Sequence, residues 1–146
     1  YNPKFVSKIE LGKGVPSVSF NLKNGGGALI DRKDPKQSIG TLVKFSKRIS
    51  ENKWGAVIFP EGTRSRDGKP KEFARSGLKV IAKYNKEGYI VPLTINNSWK
   101  IFKYGKFPLG LGSPITITTH QPIKIDSLPL DELMKKTESV IKEHIK

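Results

Sequence analysis

A run of apolar residues that stops at a proline constrains this chain more than anything else in it. Val57-Ile58-Phe59 is short and unbroken, and Pro60 and Gly62 close it. A run of that length with those boundaries reads as a buried strand. Polar residues then crowd the next positions: Glu61, Gly62, Thr63, Arg64 and Ser65. Open α/β sheets place their ligands just past the C-terminal ends of strands. Arg64 offers a rigid fork of donors suited to a phosphate. The same residue types also suit an ordinary strand-to-loop turn with a surface salt bridge, an interaction of small worth.

The remaining segments alternate between strand and helix patterns. Residues 4–8 read as a short strand, followed by a turn at Gly12-Lys13-Gly14. A short helix over 15–22 opens at Pro16, a favoured early helical position, and Asn24 with three glycines ends it. Ala28-Leu29-Ile30 is a second buried strand that runs into Asp31-Arg32, and Lys33-Asp34-Pro35 reads as a turn. Residues 36–50 carry the clearest helical period, with Ile39, Leu42, Val43 and Ile49 on one face. Trp54 to Phe59 is the third strand. The loop 66–70 precedes a helix over 75–86 with Leu78, Ile81 and Ala82 inward. Tyr89 to Ile95 is a fourth strand, in which Pro92 demands an edge, a bulge or an interrupted ladder. A strand over 115–119 and an amphipathic helix over 130–145, with Leu130, Leu133, Met134 and Ile141 repeating, complete the chain. This order predicts an α/β fold: a layered, mixed but largely parallel sheet flanked by helices.

A chain of 146 residues is long enough for one domain with a real core, and the expected organisation is a single domain over 1–146. Without cysteine there is no disulfide framework and no thiolate metal site. Twenty-seven Lys and Arg against thirteen Asp and Glu leave a formal charge of +14, a field that attracts polyanions such as anionic headgroups, acidic carriers or nucleic acid. No apolar run reaches the roughly 18 to 20 residues that span a bilayer.

Several chemistries fall away. The sequence has no Walker-type phosphate loop and no Gly-x-Ser-x-Gly nucleophile elbow. The two histidines, His120 and His144, fit a structural residue at a strand end and a solvated position on the last helix, and no zinc site can be assembled around them. Asp31-Arg32 and Glu61 to Arg64 would share an edge if their strands lie in one parallel sheet, with Lys8 nearby. Converging cations beside a carboxylate suit a phosphorylated ligand, although Asp31 and Glu61 can equally neutralise their own arginines.

Phe59 to Ser65 resembles the third motif of the glycerolipid acyltransferases, most of all the bacterial 1-acyl-sn-glycerol-3-phosphate acyltransferases. The likeness continues in order. Phe5 to Leu11 is similar to the segment before the family's second motif, and Gly26 to Arg32 to that motif itself, with Leu29 where phenylalanine is usual. Phe73 and Gly77 match the Phe-x-x-x-Gly after the third motif, and Val91 to Ile95 the fourth. The resemblance implies transfer of a fatty acyl group from acyl-CoA or acyl-carrier protein to the sn-2 hydroxyl of lysophosphatidate, giving phosphatidate. It implies no cofactor and no metal. By position, Arg64 and Lys8 would bind the acceptor phosphate, with Asp31 and Arg32 supporting them. Glu61, Gly62, Thr63 and Ser65 would shape the acceptor pocket. Phe59, Pro60, Val91 and Pro92 would form a pocket wall or the acyl-donor site.

One family feature has no counterpart. The catalytic His-x-x-x-x-Asp, in which histidine takes the proton of the attacking hydroxyl, is not matched. His120 is followed five positions on by Ile125. The pair is therefore expected upstream, and the chain is expected to be one partial acyltransferase domain, inactive by this mechanism alone. The basic charge then fits an anionic membrane surface, with the protein membrane-associated at the cytoplasmic face of the inner membrane. Trp99 to Phe107 reads as an interfacial contact or as a basic hairpin with core aromatics. The alternatives are an acyltransferase acting on another lysolipid and a non-catalytic basic module binding phospholipid or nucleic acid. Neither a stacking platform nor a basic groove-binding helix is evident, so nucleic acid is not an expected partner.

Overall fold

A computed structural model describes residues 2–13, 16–63, 65–105 and 109–146. Expectations for Gly14, Val15, Arg64 and Phe107 therefore lie outside the described residues. The chain divides into two compact units, one formed by Tyr1–Pro60 and Arg75–Lys86, the other by Glu61–Ala74 and Glu87–Lys146.

The first unit is built on a parallel sheet. β1 (Pro3–Lys8) lies between β2 (Ala28–Ile30) and β3 (Gly55–Val57). Val6 pairs with Ala28 and Lys8 with Ile30 on one side, and Phe5 with Val57 on the other. Parallel neighbours need a crossover, and α1 (Pro16–Asn24) and α2 (Pro35–Asn52) supply them, while α3 (Arg75–Tyr84) packs on α2. Val6, Ala28, Leu42, Phe45, Ile49 and Ile81 form the buried core, with Trp54, Ile58 and Val80 against it. Each fully buried aliphatic or aromatic side chain contributes about 1.5–3 kcal/mol. Asn85 ties α3 to α2, its Nδ2 donating to Ser46 O at 3.3 Å and Ile81 O at 2.8 Å.

The turn expected at Lys33-Asp34-Pro35 is present at Arg32 and Lys33, closed by Asp34 N donating to Asp31 O at 3.1 Å, and it runs directly into a helix. Asp34 is the N-cap of α2, accepting from Gln37 N at 3.0 Å, and Pro35 is its first residue. Two expectations for this unit need correction. Ile39 is exposed, and Phe45 and Ser46 take the inward positions instead. The third strand is shorter than Trp54 to Phe59. Lys53 turns left-handed at φ 51°, and Trp54 N donates back to Ile49 O at 3.0 Å, so Trp54 closes the cap that follows α2 instead of opening the strand.

The second unit contains two antiparallel pairs. β4 (Tyr89–Ile90) pairs with β7 (Ile123–Lys124), and β5 (Leu93–Asn96) with β6 (Thr116–Thr119). The expected fourth strand is thus cut in two at Val91-Pro92, the last of the three outcomes that Pro92 left open, and Pro92 O accepts from His120 N at 3.0 Å. α4 (Leu130–Glu143) buries Leu133 and Met134 and packs on β5. Its buried Glu138 is paired with Lys142, as a buried charge must be. β5 turns its polar residues inward: Thr94 and Asn96 are buried while Leu93 and Ile95 face out. The parallel sheet, the antiparallel pairs and the flanking helices make the protein α/β with mixed strand directions.

Candidate functional site

Parallel pairing of β1 with β2 brings three of the expected residues to one strand end. Lys8 is the last residue of β1 and stands opposite Ile30, directly ahead of Asp31 and Arg32. The first turn of α2 holds Asp31. Its N–H donates to Gln37 Oε1 at 2.9 Å, and the Ser38 hydroxyl donates to its carbonyl. Its carboxylate accepts from Lys33 N at 2.9 Å. Among the described residues Asp31 and Arg32 make no ion pair with each other, and Lys8 and Arg32 are exposed. Gln37 and Ser38 were not singled out in the sequence, although Asp34-Pro35 ahead of a helical period is a signal for a helix start that would lie against Asp31. Phe59 is exposed and Pro60 half-buried in this unit, past the end of β3.

The loop after Pro60 belongs to the second unit. Glu61 Oε2 accepts from Lys71 N at 3.2 Å, which closes the loop back on itself. The turn that follows is held by side chains. Ser65 Oγ accepts from Gly68 N at 2.8 Å, and Asp67 Oδ1 accepts from Lys69 N at 3.1 Å and from the Ser65 hydroxyl at 3.2 Å. The backbone N–H of Lys69, helped by the Ser65 hydroxyl, holds the Asp67 carboxyl below its usual value. That contribution is present at neutral pH and is lost as the pH falls through the lowered value. Gly62 and Gly68 have φ of 70° and 85°, where a side chain is strained. A Cβ on Gly68 would also meet Trp99 Nε1 at 2.6 Å.

That contact joins the loop to the segment between β5 and β6. A cleft of about 450 Å³ lies between them, with Thr63, Ser65 and Arg66 on one side and Trp99, Phe102 and Lys103 on the other. It falls within the size range of small-molecule sites. The structure thus gathers Lys8, Asp31 and Arg32 in one unit, and Thr63 and Ser65 at a cleft in the other. Val91 is exposed and Pro92 buried at the strand interruption.

The histidines have structural partners. His120 Nε2 lies 2.8 Å from Thr94 Oγ1, as the reading of a structural residue requires. His144 is exposed but does more than point into solvent. Its ring centroid is 4.3 Å from that of His120, and its carbonyl accepts from Asn96 Nδ2 at 3.0 Å. Among the described residues no helix is long and apolar enough to cross a membrane.

The model of the Acyltransferase family matches residues 1–96. A 1-acyl-sn-glycerol-3-phosphate acyltransferase of Helicobacter pylori is 36% identical over 106 residues, 70% of this chain and 43% of that protein. A chloroplastic protein of the same name from Arabidopsis thaliana is 27% identical over 94% of this chain and 38% of its own length. The crystal structure of the 1-acyl-sn-glycerophosphate acyltransferase of Thermotoga maritima matches with a TM-score of 0.69 at 22% identity, over 99% of this chain and 56% of that one, and so shares the fold. The chain spans about two fifths of the length of these curated relatives, 43% and 38%. The ordered motifs and the matched family model together establish that the chain belongs to the acyltransferase family.

Proposed function

We propose that this chain is the acceptor-binding part of an enzyme that moves a fatty acyl group from a thioester to the sn-2 hydroxyl of 1-acyl-glycerol-3-phosphate, giving phosphatidate. The observation that carries the reading is the unbroken order of family motifs inside the matched residues 1–96. The names of the Helicobacter and Arabidopsis relatives point to the same acceptor.

In this reading residues 1–146 form one partial domain. Lys8 and Arg64 bind the acceptor phosphate, and Arg32, beside Asp31, raises the local positive potential. Glu61, Gly62, Thr63 and Ser65 shape the pocket that holds the glycerol. Phe59, Pro60, Val91 and Pro92 form its wall or meet the acyl donor. The acceptor oxygen attacks the thioester carbonyl, the C–S bond breaks, and the hydroxyl proton ends on the thiol. That proton needs a base on the way. His120 is engaged by Thr94, and neither histidine here has an aspartate at the family spacing, so a His-x-x-x-x-Asp upstream is the group assigned to proton transfer. The donor is acyl-CoA or acyl-carrier protein, a substrate, and no cofactor is called for. The charge of +14 suits a protein working at the anionic cytoplasmic face of the inner membrane.

The test is Arg64→Ala in the full-length protein. Loss of a charge-assisted contact to phosphate lowers kcat/KM for lysophosphatidate about 100-fold with the thermal midpoint unchanged. Unaltered kcat/KM removes Arg64 from the phosphate site.

A further inference from the structure

The described residues 97–105 and 109–115 are tied together at several points. Asn96 pairs with Thr116 at their base, Asn97 Nδ2 donates to Pro114 O at 3.1 Å, and Gly110 N donates to Ile101 O at 2.8 Å. These ties fix where the segment presents its side chains. It carries Lys100 and Lys103, and the sequence 97–115 has no acidic residue. Its Trp99 is seated on Gly68, so the segment and the turn that follows Ser65 are held together.

Among the described residues no carboxylate lines the cleft they enclose. The adjacent one, Asp67, already accepts from Lys69 N and the Ser65 hydroxyl. Among the described residues, Arg66 and Lys103 are the basic residues at its wall, beside Thr63, Trp99 and Phe102. Cations and hydroxyls beside aromatic rings are the surroundings that a phosphate attached to a flat or apolar group requires.

We infer that Lys103, which lies outside every family motif, is a phosphate ligand in this cleft, with Trp99 and Phe102 flanking the apolar or planar part of the same molecule. The inference rests on the acyltransferase reading, under which two ligands carry that chemistry: lysophosphatidate and the nucleotide end of acyl-CoA. Trp99 is a positioning residue here, because it holds the segment against the turn. Lys103 itself is exposed, with its Nζ 5.7 Å from the Tyr104 ring, so its truncation leaves the core intact.

The experiment compares wild type, Lys103→Ala and Lys103→Arg in the full-length protein, varying each substrate in turn. Lys103→Ala raises one KM about tenfold with kcat within about twofold, and Lys103→Arg recovers most of the loss. A rise confined to acyl-CoA, absent with an acyl-carrier protein donor, assigns the cleft to the nucleotide. A rise confined to lysophosphatidate assigns it to the acceptor. Unchanged KM values for both overturn the subsite while leaving the acyltransferase reading in place. If wild type forms no phosphatidate, that reading fails, and calorimetric titration with CoA and with glycerol 3-phosphate judges the subsite alone. Binding weakened about tenfold by Lys103→Ala upholds it, and absent or equal binding overturns it.

Discussion

Thr94 is a buried hydroxyl on a strand whose apolar residues point outward. Its Oγ1 meets His120 Nε2 at 2.8 Å and Ile141 O at 3.4 Å. The short contact dominates, since hydrogen bonds weaken steeply with length. His120→Ala removes it and leaves a buried hydroxyl with only the long one, so the variant should lose about 1–2 kcal/mol of stability, read from urea unfolding. An unchanged midpoint would mean that Ile141 O satisfies Thr94 unaided. Two residues along, Asn96 works across a greater sequence distance, donating to His144 O at 3.0 Å and accepting from Lys146 N at 2.9 Å. Both residues secure the end of α4, and nothing local to β5 announces it. Alternation of Leu93 and Ile95 with polar residues predicts the opposite facing, because periodicity reports a pattern without saying which side is covered. The turn at Ser65 to Lys69 was partly legible: Asp67-Gly68 marks a turn, but the seat of Trp99 on Gly68 joins residues thirty-one positions apart in the numbering and has no local signal.

At the level of elements, α2 shows what sequence patterns reach and where they stop. Its period was clear from the residues, and so was Ala28–Ile30 as a strand, because a short apolar run ended by Asp31-Arg32 admits little else. Its ends were obscured. Asp34-Pro35 serves a turn and a helix start equally well, and the deciding fact is the bond from Gln37 N to Asp34. At the other end a lysine occupies the left-handed position that glycine usually fills, φ 51° at Lys53. Lys53→Gly relieves that strain, and the gain outweighs the greater freedom of glycine in the unfolded chain. The variant should be about 0.5–1 kcal/mol more stable, seen as a raised thermal midpoint. A lowered midpoint would show that the left-handed turn at Lys53 carries no strain. Pro92 is the contrasting case. Its missing N–H allows an edge, a bulge or an interrupted ladder, and the interruption is what forms: β4 and β5 part at that position to pair with different partners.

Across the whole molecule the candidate site divides as the chain does. Lys8, Asp31 and Arg32 lie in the first unit and Glu61 to Ser65 in the second. Each group was legible for its own reason: strand ends in a parallel sheet collect charged residues, and the specific Phe59 to Ser65 stretch sets the family. The segment from Trp99 to Phe107 stood out by composition, but its place beside the Ser65 loop did not, because that contact joins residues far apart in sequence. The family model ends at residue 96, so this segment lies beyond the part that the family model matches. The central claim, that the chain belongs to an enzyme acylating lysophosphatidate, is tested most directly by incubating the full-length protein with labelled acyl-CoA or acyl-carrier protein and 1-acyl-glycerol-3-phosphate. An enzyme of that activity yields labelled phosphatidate, formed only when the phosphate-bearing acceptor is present. A folded full-length protein that forms no phosphatidate from either donor would contradict the claim.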